Sequence, residues 1–468
     1  MRKIGSLKPK HAKECKNSHL GIGLEKLDRD LYDPTYAYAP LSEIGIKWVR
    51  IQSGWSKTEK VKGVYDFKWL DEIVDNIIKN GMTPWLCLCY GNQLYTPDAP
   101  SETGAVGYAP IRTEEEKAAW ANYVTACVSH YKGRISLFEV WNEPDQGCWK
   151  PNGPNPKEYG EFCIATAKAV RKADPNAKVI GGSLCMYLSF WHEAFKTGML
   201  DYVDYVSYHR YKKDAEVEDT RFMSALRGLI KSFTDREIGL IQGESGTQSE
   251  YSPNGSLGGF NWNEKIQAKY LLRRMAFDLT SGVYISSYFT AVDIFENLED
   301  AEISKDKKMY GFFGVIGEKF DEHNMAIGEY YKKPSYTAFQ SLCALFNGDE
   351  KQVDLPLYFM SYYCDLTGNQ DIFAASDLNG VTTKTFELSN GLKALLYWKP
   401  CDLLTTEFSS TISLVSMGMG EAHIVDLMDS AVYEHENVQI NGDATTLKNL
   451  PLRDYPMAIV FGDIKKLI

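Results

Sequence analysis

The sequence has no block of lysine and arginine. Its formal charge of -11 is spread along 468 residues, so a nucleic-acid partner, which needs a basic face against the phosphate backbone, is not expected. Nor is there an apolar run of 18 residues, which leaves no candidate for a membrane-spanning helix. The opening stretch, MRKIGSLKPKHAKECKNSHL, is basic but lacks the apolar segment of a secretory signal. The expectation is a cytoplasmic protein with no membrane partner. The ten cysteines show no repeated metal-ligand spacing. Cys87 and Cys89 stand two apart in an apolar run, hence on one face of a strand, and read as reduced core thiols rather than as a redox turn. No metal and no organic cofactor is expected. Internal repeats, low-complexity tracts and Pro/Ser linkers are missing too, so domains should pack directly on one another.

What is present is an ordinary globular composition, 44% hydrophobic and 24% charged, in a chain too long for one small core. Aromatic residues make up 13%, with 29 Tyr and 10 Trp, and flat rings suit sugar faces as well as cores.

From about residue 19 to residue 345, short β-like runs alternate with stretches of helical periodicity. Eight runs stand out: His19 to Leu24, Ile46 to Gln52, Thr83 to Tyr90, Ser136 to Asn142, Lys178 to Gly182, Tyr202 to Tyr208, Gly239 to Glu244 and Val283 to Thr290. Between them, FKWLDEIVDNIIKNG and NEKIQAKYLLRRMAFDL place apolar residues at helical spacing. Eight strands joined by helices predict an α/β fold, a (β/α)8 TIM barrel. After YTAFQSLCALFNG the alternation stops and strand follows strand, with Ser389-Asn390-Gly391 marking a hairpin. The expected division is a barrel over residues 1–350 and a small antiparallel β-sandwich over 351–468.

A barrel of this kind carries its active site at the C-terminal ends of its strands. The polar residues ending β-runs are Arg50 on the second, Asn142 and Glu143 on the fourth, His209 and Tyr211 beyond the sixth, and Glu244 on the seventh. ISLFEVWNEPD and GLIQGESG share one oddity: each delivers a carboxylate where an apolar strand ends. Two carboxylates facing one cleft suit glycosidic cleavage, since one must protonate the leaving oxygen while the other attacks, or activates water, at the sugar carbon. Glu143 is expected as the acid/base and Glu244 as the nucleophile, held ionised by Arg50 and Tyr211.

Trp141-Asn142-Glu143-Pro144 on the fourth run and Glu244 on the seventh, 101 positions later, resemble glycoside hydrolase clan A. That resemblance implies that Asn142 binds the sugar 2-hydroxyl, Glu143 is the acid/base and Glu244 the nucleophile of a retaining mechanism. Arg50 in WVRIQSGW matches the second-strand Arg of the clan, and His209-Arg210-Tyr211 its His-x-Tyr after the sixth strand. Within the clan, WNEPD and the all-β tail look most like family 39, which includes β-xylosidases and α-L-iduronidases. QGESG departs from the Thr-Glu-Phe-Asn pattern of that family. YISSYFTAVDIF lacks the Trp on which many clan members rest the sugar, leaving Phe289 or Asp293 near that place. Trp149, in a loop, is the expected stacking residue, while Trp141 reads as core.

Three long segments follow strands: GNQLYTPDAPSETGAVGYAPIR, SGTQSEYSPNGSLGGFNW and the stretch from Asp293 to Glu329. Raised around the barrel mouth they would form a pocket that favours terminal sugars; the alternatives are flexible decoration or a contact in a homo-oligomer. The expected function is a retaining, exo-acting glycosidase on a carbohydrate substrate. A transglycosylase on the same scaffold, a carbohydrate-binding protein without turnover, and metal-assisted barrel chemistry are the alternatives.

Overall fold

The computed structural model describes every residue except 100–106, 147–148, 150–152, 185–186, 214, 298–307, 323–325, 361, 365–369 and 373–379. Its first strand, β1 (Arg2–Ser6), lies outside the barrel. Eight parallel strands then close on themselves: β2 (Leu20–Gly23), β3 (Trp48–Gln52), β4 (Thr83–Leu88), β5 (Leu137–Val140), β6 (Lys178–Leu184), β7 (Tyr205–His209), β8 (Gly239–Ser245) and β9 (Ile285–Tyr288). Each predicted run supplies one of them. Predicted and observed ends differ by up to three residues, as strand termini read from pattern do.

The intervening helices cover the barrel because their sequences carry one apolar stripe. In Lys68–Lys79, Leu70, Ile73, Val74 and Ile77 are buried, the i, i+3, i+4, i+7 pattern of a helix laid on a sheet. Caps fix where helices begin. Asn155 accepts from the backbone of Lys157 and Glu158 ahead of Pro156, and Asn263 accepts from Ile266, which satisfies amides that the first turn leaves free. Inside the barrel, Trp85, Leu137, Ile180, Ile241 and Ile285 pack into an apolar plug near the starts of the strands. Polar side chains occupy the other end.

Beyond the helix Pro334–Leu345 the chain builds antiparallel sheets, one of seven strands and one of four. Thr382–Glu387 pairs with Lys393–Trp398 across the predicted hairpin. β1 pairs antiparallel with Ala431–Glu434 at an edge of the seven-stranded sheet. This differs from the expected assignment of residues 1–350 to the barrel alone: the chain enters through the second unit. The two units share buried charges. Arg273, on the barrel helix Glu264–Thr280, forms a two-pronged pair with Glu216 at 2.6 and 2.7 Å, and Trp398 of the β unit donates to the same carboxylate at 2.9 Å. Lys269, on that helix, meets Asp454 at 2.7 Å. Among the described residues no helix is long and apolar enough to cross a membrane.

Candidate active site

β5 ends at Val140, and the next residues turn sharply. Trp141 and Glu143 have φ of +65° and +48°, the left-handed region that costs a residue with a side chain about 1–2 kcal/mol. Packing holds the turn. The Trp141 ring meets Tyr90, Trp120, Trp149 and Phe162 edge-on. Its amide bonds to Leu88 O at 3.0 Å, and the Glu143 amide to Ser183 O at 3.1 Å. A strained turn set on a rigid aromatic cluster is how the apolar strand presents Glu143 at the barrel mouth.

Glu244 arrives differently, within β8. The residue before it is glycine by necessity: a Cβ on Gly243 would lie 2.5 Å from Ser207 Oγ and 2.8 Å from His209 Nε2 on the neighbouring strand. One carboxylate oxygen of Glu143, one of Glu244 and a ring nitrogen of His209 lie within 4.8 Å of one another.

Arg50 ties the groups together. Fully buried, it donates from Nε to Glu139 at 2.6 Å, from Nη2 to Asn142 Oδ1 at 2.9 Å, and from Nη1 to Glu244 and, at 3.3 Å, to Glu25. Asn142 Nδ2 donates to Tyr90 at 2.8 Å. Tyr211 donates to the second oxygen of Glu244 at 2.9 Å. Nδ1 of His209 stands 2.9 Å from Glu143 and 3.7 Å from Glu244. Glu139 also accepts from Ser183.

This packing sets the charges. Burial opposes ionisation of Arg50, but Glu139, Glu244 and Glu25 outweigh it and hold the guanidinium pKa above its usual range. Burial pushes the Glu139 carboxyl up, and Arg50 with His209 pulls it below its usual value. Tyr211 is raised by burial and by the Glu244 charge, so it remains a protonated donor. His209 is lowered by burial, then raised past its usual value by Glu244 and Glu143. Glu25 is pushed up to about 7 by burial and by Glu244.

A cavity of about 310 Å³ opens over these residues, lined by Glu25, Gln52, Tyr90, Asn142, Glu143 and Glu244, with Tyr211, Phe289 and Phe313 at its side. Lys26, Arg29, Gly255, Ser256, Ile294 and Gly311 complete the wall, so two of the three long segments reach it; the first contributes no described lining residue. A larger cavity, about 1230 Å³, contains Trp262, Tyr330 and Tyr331 and none of the groups above except that it borders Asp293. Glu143, His209 and Glu244 form the one described cluster close enough to share a cation. They do not fit a resident metal, since both oxygens of Glu244 are taken by Arg50 and Tyr211, and Nδ1 of His209 faces Glu143.

Arg50, Asn142, Glu143, His209, Tyr211, Glu244 and Phe289 are thus gathered at one mouth. Trp149 is the exception. It is 1% exposed and packs edge-on against Trp141, Tyr159 and Phe162, away from the cavity, so the expected stacking surface is instead a prop beneath the Trp141 turn. Sequence reasoning missed Glu25, Gln52, Tyr90, Glu139 and Phe313. Glu25 carried the same signal as Glu143 and Glu244, an acid just after an apolar run.

A closed parallel barrel with two carboxylates at the ends of its fourth and seventh strands, the second joined through one buried arginine to the asparagine beside the first, defines a clan A glycoside hydrolase. The model of glycosyl hydrolases family 39 matches residues 19–356, and the chain belongs to that family. It is 26% identical over 321 residues to a β-xylosidase of Geobacillus stearothermophilus, covering 62% of this chain and 58% of that relative, so the match spans little more than half the relative's length. A family 39 glycoside hydrolase from the gut symbiont Bacteroides cellulosilyticus WH2 shares the fold at TM-score 0.66 and 16% identity, over 96% of this chain and 82% of the other. A monomeric β-xylosidase from Caulobacter crescentus CB15 does so at TM-score 0.58 and 18% identity, over 98% and 97%.

Proposed function

We propose that this chain is a retaining, exo-acting glycosidase that removes terminal sugars from glycosides or short oligosaccharides, β-xylosidase-like in its substrates. The observation that carries the reading is the 4.8 Å limit between the oxygens of Glu143 and Glu244. Retaining glycosidases set their carboxyl groups about 5–5.5 Å apart, whereas inverting ones leave roughly 6.5–9.5 Å for a water.

Glu244 attacks the anomeric carbon, the glycosidic C–O bond breaks, and Glu143 gives its proton to the departing oxygen. Water then enters, Glu143 takes its proton, and the new oxygen–carbon bond displaces the Glu244 carboxylate. Arg50 and Tyr211, one on each oxygen of Glu244, hold it aimed at the sugar carbon. Asn142, fixed between Arg50 and Tyr90, serves the 2-hydroxyl. Phe289 lies against the ring. Exo action is supported by the small cavity walled by Gly255, Ser256, Ile294 and Phe313.

A panel of aryl glycosides, followed by mass spectrometry of protein treated with the matching 2-fluoro glycoside, tests this. The expected adduct sits on Glu244, and Glu244→Gln abolishes both turnover and labelling. Near-normal turnover by Glu244→Gln, or a label on another residue, would overturn the assignment.

A further inference from the structure

The mechanism uses two carboxyl groups, yet a third, Glu25, lines the same cavity. It is 3% exposed and follows β2 by two residues. The chain makes room for it: a Cβ on Gly23 would fall 1.9 and 2.3 Å from the two Glu25 oxygens, so the carboxyl folds back into the space that a side chain at residue 23 would take. Burying a carboxyl group is costly unless its oxygens are well partnered. Beyond a hydrogen bond from its own backbone, those of Glu25 have only distant side-chain partners. One lies 3.3 Å from Arg50 Nη1, which already serves Glu244. The other lies 3.4 Å from Thr290 Oγ1, which already donates to Gly23 O at 2.8 Å. Both side-chain contacts are long and shared, so the group keeps hydrogen-bonding capacity toward the cavity.

The guanidinium also fixes where Glu25 stands. Nη1 holds Glu25 and Glu244 together, and Nη2 holds Asn142. A ring resting over Glu244 with its 2-hydroxyl on Asn142 therefore offers its remaining hydroxyls to the Glu25 side. Resting on the glycosidase reading above, we propose that Glu25 is a specificity-determining residue, its carboxyl group taking a ring hydroxyl beyond C2 of the sugar bound over Glu244. Because the group is pushed up to about 7, near neutral pH it both donates to and accepts from a hydroxyl, which suits a partner that does the same.

The experiment compares kcat/KM for the aryl glycoside that the enzyme cleaves best with its 3-deoxy and 4-deoxy forms, in the wild type, Glu25→Ala and Glu25→Asp. The wild type should lose roughly 10–100-fold on one deoxy form, the worth of a hydrogen bond to an ionisable group. Glu25→Ala should be slower on the parent and lose less than about 3-fold for the same deletion, because the partner is already gone. Glu25→Asp keeps the charge but draws the carboxyl back by one methylene, and should show the same collapse of discrimination if the alanine variant does not fold. Undiminished discrimination in the folded variants would overturn the inference. Should the wild type cleave no glycoside, the hydrolase reading fails by itself, and the same comparison made by calorimetric binding of the methyl glycosides decides the role of Glu25 separately.

Discussion

Nδ1 of His209 stands 2.9 Å from Oε1 of Glu143, on a ring that is otherwise sealed from solvent. The imidazole therefore reports the charge of the site. Burial lowers its pKa, while Glu244 and Glu143 raise it to a net value above the usual 6.5. A histidine raised on folding adds stability that is fully present below the unfolded value and is lost as pH rises through the folded one. NMR titration should find the His209 midpoint above that of a free histidine, and Glu143→Gln should move it down. A midpoint unmoved by that substitution would remove Glu143 as a partner.

Replacing the proton donor should separate substrates by leaving group. Glu143→Ala is expected to lose roughly 10²–10⁴ in kcat/KM on alkyl glycosides, the usual worth of general acid catalysis, and far less on dinitrophenyl glycosides, which depart without a proton. An equal loss on both classes would assign Glu143 a different part.

Trp149 gives a prediction of the opposite kind. Since its ring packs on Trp141, Tyr159 and Phe162, Trp149→Ala should cost about 3–5 kcal/mol of stability. Denaturant unfolding measures this. Trp149→Phe, which keeps the aromatic packing, should leave KM close to that of the wild type; a large rise in KM with unchanged stability would restore the stacking role.

The joint between the units should be sensitive to acid. Burial raises the Glu216 carboxyl, and Arg273 with Trp398 pulls it below its usual 4.5. A depressed acid adds stability that is present above the unfolded value and is lost as pH falls through the folded one. Glu216→Ala strands Arg273 and is expected to cost about 3–5 kcal/mol near neutral pH. Calorimetry from pH 7 to 3 should show the variant's Tm converging on that of the wild type.

The eight barrel strands were legible because each is a short apolar run punctuated by a helical period. Glu143 and Glu244 were legible for a related reason, as acids that packing alone does not ask for. Glu25 escaped because the first run was closed one residue early, at Leu24. Glu139 escaped because a parallel strand is buried on both faces, so an acid among Leu137, Phe138 and Val140 does not announce which side it meets. Trp149 was misplaced because a ring between strands can turn inward or outward, and only the packing around Trp141 decides. β1 could not be seen at all, since five residues carry no signal of a partner more than 400 positions away.

That last pairing bears on how the molecule assembles. Arg2–Ser6 has no edge to join until Ala431–Glu434 has been made and folded, while the barrel can close once the chain passes β9. A shortened chain ending near residue 350 would leave β1 an unpaired strand, exposing backbone donors and acceptors that invite intermolecular pairing. Its solubility, rather than its catalytic geometry, would be the first property to suffer.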